Sequence, residues 1–143
     1  MKITLNQVSA LQKIKVDDAI STSERSSHTV LQGQRLSYQV VIGTKGIREK
    51  TRRIWIESPL KDYIRLYRVK EVIVDVPSRE LVSDEDYLLT SAGNLPDVLV
   101  PLELQGNYAA LSGDNVVIWV KIDIPKTMTA GSYTVKFFIE TAL

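Results

Sequence analysis

The stretch VVIWVKIDI, residues 116–124, decides the fold. Ile118, Val120, Ile122 and Ile124 fall on one side of an alternating pattern, and Val117, Trp119, Lys121 and Asp123 fall on the other, which is the period of a half-buried β-strand. Pro125 stops that strand, because proline has no N–H to give to a ladder. The next run, SYTVKFFIE at 132–140, repeats the period, with Tyr133, Val135, Phe137 and Ile139 on one face and Thr134, Lys136, Phe138 and Glu140 on the other. The intervening PKTMTAG ends in Gly131, a residue able to take positive φ in a turn. The pattern therefore predicts a terminal hairpin of these two strands.

The same alternation extends upstream. RLSYQVVI at 35–42 points Leu36, Tyr38, Val40 and Ile42 inward and closes on the turn residues GTKG. RRIWIE at 52–57 points Ile54 and Ile56 inward and Trp55 outward. IRLYRVKEVIVDV at 64–76 exceeds the length of an average strand, and its apolar phase slips between Leu66 and Val72. A bulge or bend near Arg68 to Glu71 is expected there, with the two halves serving two sheets. Segments 21–29, 78–95 and 105–115 read as irregular. Repeated strands separated by turn signals, with little helix, predict an all-β fold: an antiparallel β-sandwich, immunoglobulin-like or jelly-roll-like, formed as one domain over 1–143.

Composition narrows the chemistry. The chain has 143 residues, 44% apolar and 24% charged, an ordinary composition for one globular domain. Eighteen Lys plus Arg stand against 17 Asp plus Glu, a net charge of +1, so no global field draws in nucleic acid or an acidic membrane. With no cysteine and one histidine, His28, thiolate catalysis, disulfides and any two-histidine metal site within one chain are excluded. No apolar run approaches the roughly 18 residues needed to span a bilayer, and the opening MKITLNQVSALQKIK lacks the core of a secretory signal. No cofactor is indicated.

Four segments, in order, resemble the N-terminal β-sandwich domain that precedes the barrel of glycoside hydrolase family 123-like proteins. They are VLQGQRLSYQVVI at 30–42, IRLYRVKEVIVDVPS at 64–78, NLPDVLVPLE at 94–103 and NVVIWVKIDIPKTMTAGSYTVKFFI at 115–139. The resemblance implies a non-catalytic accessory domain of a bacterial glycoside hydrolase. Its partner would be the remainder of the parent polypeptide, a catalytic barrel absent from this chain, and its setting secreted or cell-surface. The family's acidic catalytic residues belong to that barrel, so no position here inherits a catalytic role.

Read residue by residue, the acidic runs Asp84-Glu85-Asp86 and Asp17-Asp18 are solvated surface, without the cage needed to separate two carboxyl pKa values. A calcium loop is not spelled by either run. His28, within a Ser-rich segment, reads as a solvated histidine. Arg48, Lys50, Arg52 and Arg53 read as a charged hairpin edge that resists edge-to-edge pairing. The aromatics say more. Trp55, Trp119 and Phe138 all fall on outer faces and need a cover, which this domain's own loops, another domain or a stacked sugar could provide. Those three residues, with the 78–95 segment, are the candidates for contact with the barrel. The alternative is a carbohydrate-binding module that uses the same rings as a stacking platform.

Overall fold

A computed structural model describes residues 3–19, 27–44, 46, 50–75, 92–103, 107–111 and 114–140. Eight strands run in chain order: β1 (Thr4–Ser9), β2 (Arg35–Gly43), β3 (Lys50–Glu57), β4 (Ile64–Val74), β5 (Gly93–Pro101), β6 (Tyr108–Leu111), β7 (Asn115–Asp123) and β8 (Lys136–Ile139). A 3-10 turn, Lys61–Tyr63, leads into β4. All pairings are antiparallel. They form a five-stranded sheet in the order β1-β2-β7-β4-β5 and a three-stranded sheet in the order β6-β3-β8. The all-β sandwich expected from the alternation is therefore the architecture found.

The inward faces meet as the period-2 pattern requires. Ile42 and Ile118 from the large sheet pack with Ile54, Ala109 and Leu111 from the small one, with Phe137 and Ile139 alongside. Toward the other end, Tyr38, Val40, Val120 and Ile122 join Leu60 and Ile64, and Ile56, Phe137 and Val135 pack against them. The residues predicted to point inward on β2, β3 and β7 do so.

The terminal hairpin does not form. β7 lies between β2 and β4 in the large sheet, while β8 pairs with β3 in the small one. The PKTMTAG arm instead crosses between sheets, with Met128 and Val135 packing into the core that the sheets share. Two alternating strands joined by a turn look alike in sequence whether the turn closes a hairpin or carries the chain across a sandwich. Here β2 and β4 already occupy both edges of β7, so the last strand has nowhere to pair in that sheet.

β4 stays within one sheet, pairing with β7 through its first half and β5 through its second. The register breaks between Lys70 and Glu71, inside the stretch where a bulge was expected. The extra residue sits on the partner strand: Val98 opposes Lys70 and Pro96 opposes Glu71, which leaves Asp97 as the bulge. Segment 78–95 was read as irregular, but its end belongs to β5, and β6 lies inside the segment read as irregular at 105–115. Residues 76–91, including Asp84, Glu85 and Asp86, lie outside the described residues.

The outer face of the large sheet has its own cover. After β1, residues 10–19 run across it as a strap, and Ile14 packs on Val8, Val41, Val117 and Val69. Polar side chains of the sheet fasten the strap's backbone. Gln39 donates to Ser9 O and Gln12 O at 2.9 and 2.6 Å, and Asn115 donates to Asp18 O at 2.8 Å. Glu71 accepts from Val16 N at 2.9 Å, and Lys13 reaches the carbonyl of Pro96 beside the bulge at 2.9 Å. Asp18, half of an acidic pair in the sequence, accepts from Lys15 N at 2.8 Å and so closes the strap's turn.

Candidate functional site

The three outer-face aromatics do not share one surface. Trp119 lies on the strap side of the large sheet, cross-strand from Gln39 on β2 and Tyr67 on β4. Trp55 and Phe138 lie opposite each other on β3 and β8, on the outer face of the small sheet. Their rings stack, with centroids 5.3 Å apart and planes 7° from parallel. The Arg53 guanidinium sits 5.7 Å from the Trp55 ring centroid, within cation–π range. On the far side of β3, Tyr108 of β6 pairs with Arg53 and is 45% exposed. The outer face of the small sheet is thus a row of Tyr108, Arg53, Trp55 and Phe138. The sequence missed Tyr108, because β6 is short and its YAAL carries little alternation.

The charged-edge reading of β3 is corrected. β3 is the central strand of its sheet, paired with β6 on one side and β8 on the other. Alternation turns Arg52 to the same face as Ile54, where it is only 7% exposed, and turns Arg53 outward to the aromatic row. A charged residue does not mark an edge here, because the central strand turns Arg53 to the outer face and buries Arg52. Arg48 lies outside the described residues.

A second site was not anticipated. At one end of the sandwich a cleft of about 720 Å³ opens between the 27–32 segment and the 128–133 arm. Its floor is apolar, with Leu36, Leu60, Ile122, Ile124 and Val135, and its rim is polar, with Gln7, Thr29, Gln32, Thr129 and Ser132. Among the described residues its lining includes no Asp, Glu, Lys or Arg, and it includes His28. The His28 ring stacks on Tyr38 with centroids 5.3 Å apart and planes 14° from parallel, and its Nε2 accepts from the Gln7 amide. His28 is exposed, as its polar surroundings predicted, but it is built into a cleft wall.

Tyr38 is the buried member of this wall, 9% exposed. Burial pushes its phenol pKa above the usual value. Among the described residues its hydroxyl has no hydrogen-bond partner. Tyr133 sits on the arm, and its hydroxyl donates to Thr129 O at 2.6 Å, closing the arm into a rigid loop. The signal for the cleft was present in the sequence as the one inward-facing tyrosine of an otherwise aliphatic strand face.

Among the described residues, no group of three His, Asp or Glu side chains comes together as a metal site. No helix among them is long and apolar enough to cross a membrane. Comparison with known families and with curated proteins finds no match for this chain.

Proposed function

We propose that this chain is a non-catalytic accessory module that docks another folded domain of its parent polypeptide, a glycoside-hydrolase-type barrel, through the outer face of the small sheet. One observation supports the reading above the rest. The strap covers the outer face of the large sheet, whereas on the outer face of the small sheet Arg53 and Tyr108 are exposed beside the half-buried, mutually stacked Trp55 and Phe138. Tryptophan, tyrosine and arginine are the residues that dominate binding energy at protein interfaces, because each brings a large contact area with a polar handle. The stacked Trp55–Phe138 pair is pre-ordered, so docking on it costs little side-chain entropy. Trp119 is not part of this surface. The resemblance of the four ordered segments to a domain that precedes a barrel supplies the identity of the partner.

The test is association in trans. The polypeptide encoded on the C-terminal side of this chain is expressed separately, and its binding to the chain is measured by calorimetry. Trp55→Ala or Phe138→Ala is expected to weaken binding by about 2 kcal/mol, as loss of a central anchor does, and Trp119→Ala to leave it unchanged. Absence of association, or equal sensitivity to Trp119→Ala, refutes the reading.

A further inference from the structure

We infer that the cleft beside Tyr38 is a binding site for a neutral sugar, separate from the docking face and independent of whether that face binds. Three properties of the cleft select this ligand class.

The first is charge. Although 24% of the chain's residues are Asp, Glu, Lys or Arg, none lines the cleft among the described residues. Among the described lining residues an amine would find no carboxylate, and a phosphate or carboxylate would find only the exposed His28, whose Nε2 accepts from Gln7; burying an unpaired charge is strongly unfavourable. The ligand is therefore uncharged. The second is the division between floor and rim. An aliphatic floor under a rim of amides and hydroxyls matches a molecule with one C–H face and an edge of hydroxyl groups, which is the shape of a pyranose. The cleft's volume of about 720 Å³ also lies within the range of small-molecule sites.

The third is Tyr38. Its ring is held from one side by His28, and its hydroxyl, with no hydrogen-bond partner among the described residues, stays open to the cleft. An open phenol of this kind can both donate and accept. A sugar hydroxyl in the cleft would meet it, while Gln7 and Gln32 keep side-chain carbonyl oxygens to accept from neighbouring hydroxyls. The outer-face pair cannot offer the same platform, because Trp55 and Phe138 spend a ring face on each other.

The experiment is saturation-transfer NMR on the intact chain, with D-glucose, D-galactose, D-mannose, D-xylose and N-acetyl-D-glucosamine as neutral probes. Glucuronate and glucose 6-phosphate serve as charged counterparts. At least one neutral sugar is expected to bind saturably, and its charged counterpart to bind more weakly. Tyr38→Phe, which keeps the ring and its stack, is expected to weaken that sugar by about three- to tenfold, the equivalent of one hydrogen bond. Ala130→Trp, which fills the exposed rim without touching the core, is expected to abolish binding, and Trp55→Ala to leave it intact. The inference is overturned if no neutral sugar saturates, if the charged sugars bind equally well, or if Tyr38→Phe leaves affinity unchanged. Should Ala130→Trp fail to fold, the Tyr38→Phe comparison decides alone.

Discussion

Replacing Gln39 by methionine isolates what fastens the strap. Gln39 is 3% exposed, and its single amide nitrogen donates to the last carbonyl of β1, Ser9 O, at 2.9 Å and to the strap at Gln12 O at 2.6 Å, tying the start of the strap to the sheet. Methionine keeps the length and volume and removes both donors, so no cavity term enters. The two bonds are worth about 1 kcal/mol each. Ser9 O retains the Gln12 N–H at 3.1 Å, so Gln12 O is the carbonyl left short of a partner. The added apolar burial returns part of the loss, about 0.5–1 kcal/mol. The net expectation is a destabilisation of about 1–2 kcal/mol, against a total stability of roughly 5–15 kcal/mol for a domain of this kind. In urea, with a slope of about 2 kcal/mol/M, the midpoint should fall by about 0.5–1 M. Hydrogen exchange should show a local effect as well, with amides of 10–19 exchanging faster relative to those of β7. A midpoint within about 0.2 M of the parent chain, together with unchanged strap protection, would refute the claim that sheet side chains hold the strap.

Three further outcomes follow from the same structure. Ile118 is 0% exposed where the sheets meet, so Ile118→Ala should cost about 2–5 kcal/mol in chemical denaturation. Gly33 has φ +74°, and an added Cβ would lie 2.9 Å from Lys126 Cγ. Gly33→Ala should therefore lower the unfolding midpoint by an amount equivalent to about 1 kcal/mol or more. The Arg35 guanidinium, hydrogen-bonded at 2.6 Å and aided by Lys121, holds the Asp123 carboxyl below the usual carboxylate value. A depressed folded-state pKa stabilises above the unfolded value of about 3.9 and is lost as pH falls through the folded value. NMR titration should show Asp123 titrating below that reference in the parent chain and returning toward it in Arg35→Met.

The strands carried by strict alternation, β2, β3 and β7, were legible because each buries one face, and a period of two has a single physical reading there. The bulge was legible from the break in apolar phase, although sequence could not say which strand holds the extra residue. Three kinds of information were not local. Pairing of β8 with β3 depends on which edges remain open after the other strands are placed. β1 owes its place to pairing with β2 and to the strap that follows it, and neither leaves a mark in TLNQVS itself. β5 was hidden by Pro96 and Pro101, which a strand tolerates at the edge of a sheet. The outward direction of Trp55 and Phe138 was readable, but their adjacency was not. The cleft left only one trace, the inward Tyr38 on an otherwise aliphatic strand face, because its walls come from distant segments.

Pairing β8 with β3 also has a temporal consequence. Arg53 and Glu140 meet across 87 residues of sequence, so β3 leaves the ribosome long before its partner exists. Contacts of such separation form late, and a chain rich in them folds slowly. Until β8 arrives, one side of β3 is an open edge and Trp55 lacks the Phe138 ring it stacks on, which leaves that edge open to pairing with other chains. The aromatic row is therefore assembled only once synthesis has reached the last strand. A partner that recognises it would bind chains in which β8 has paired with β3 and ignore those in which it has not.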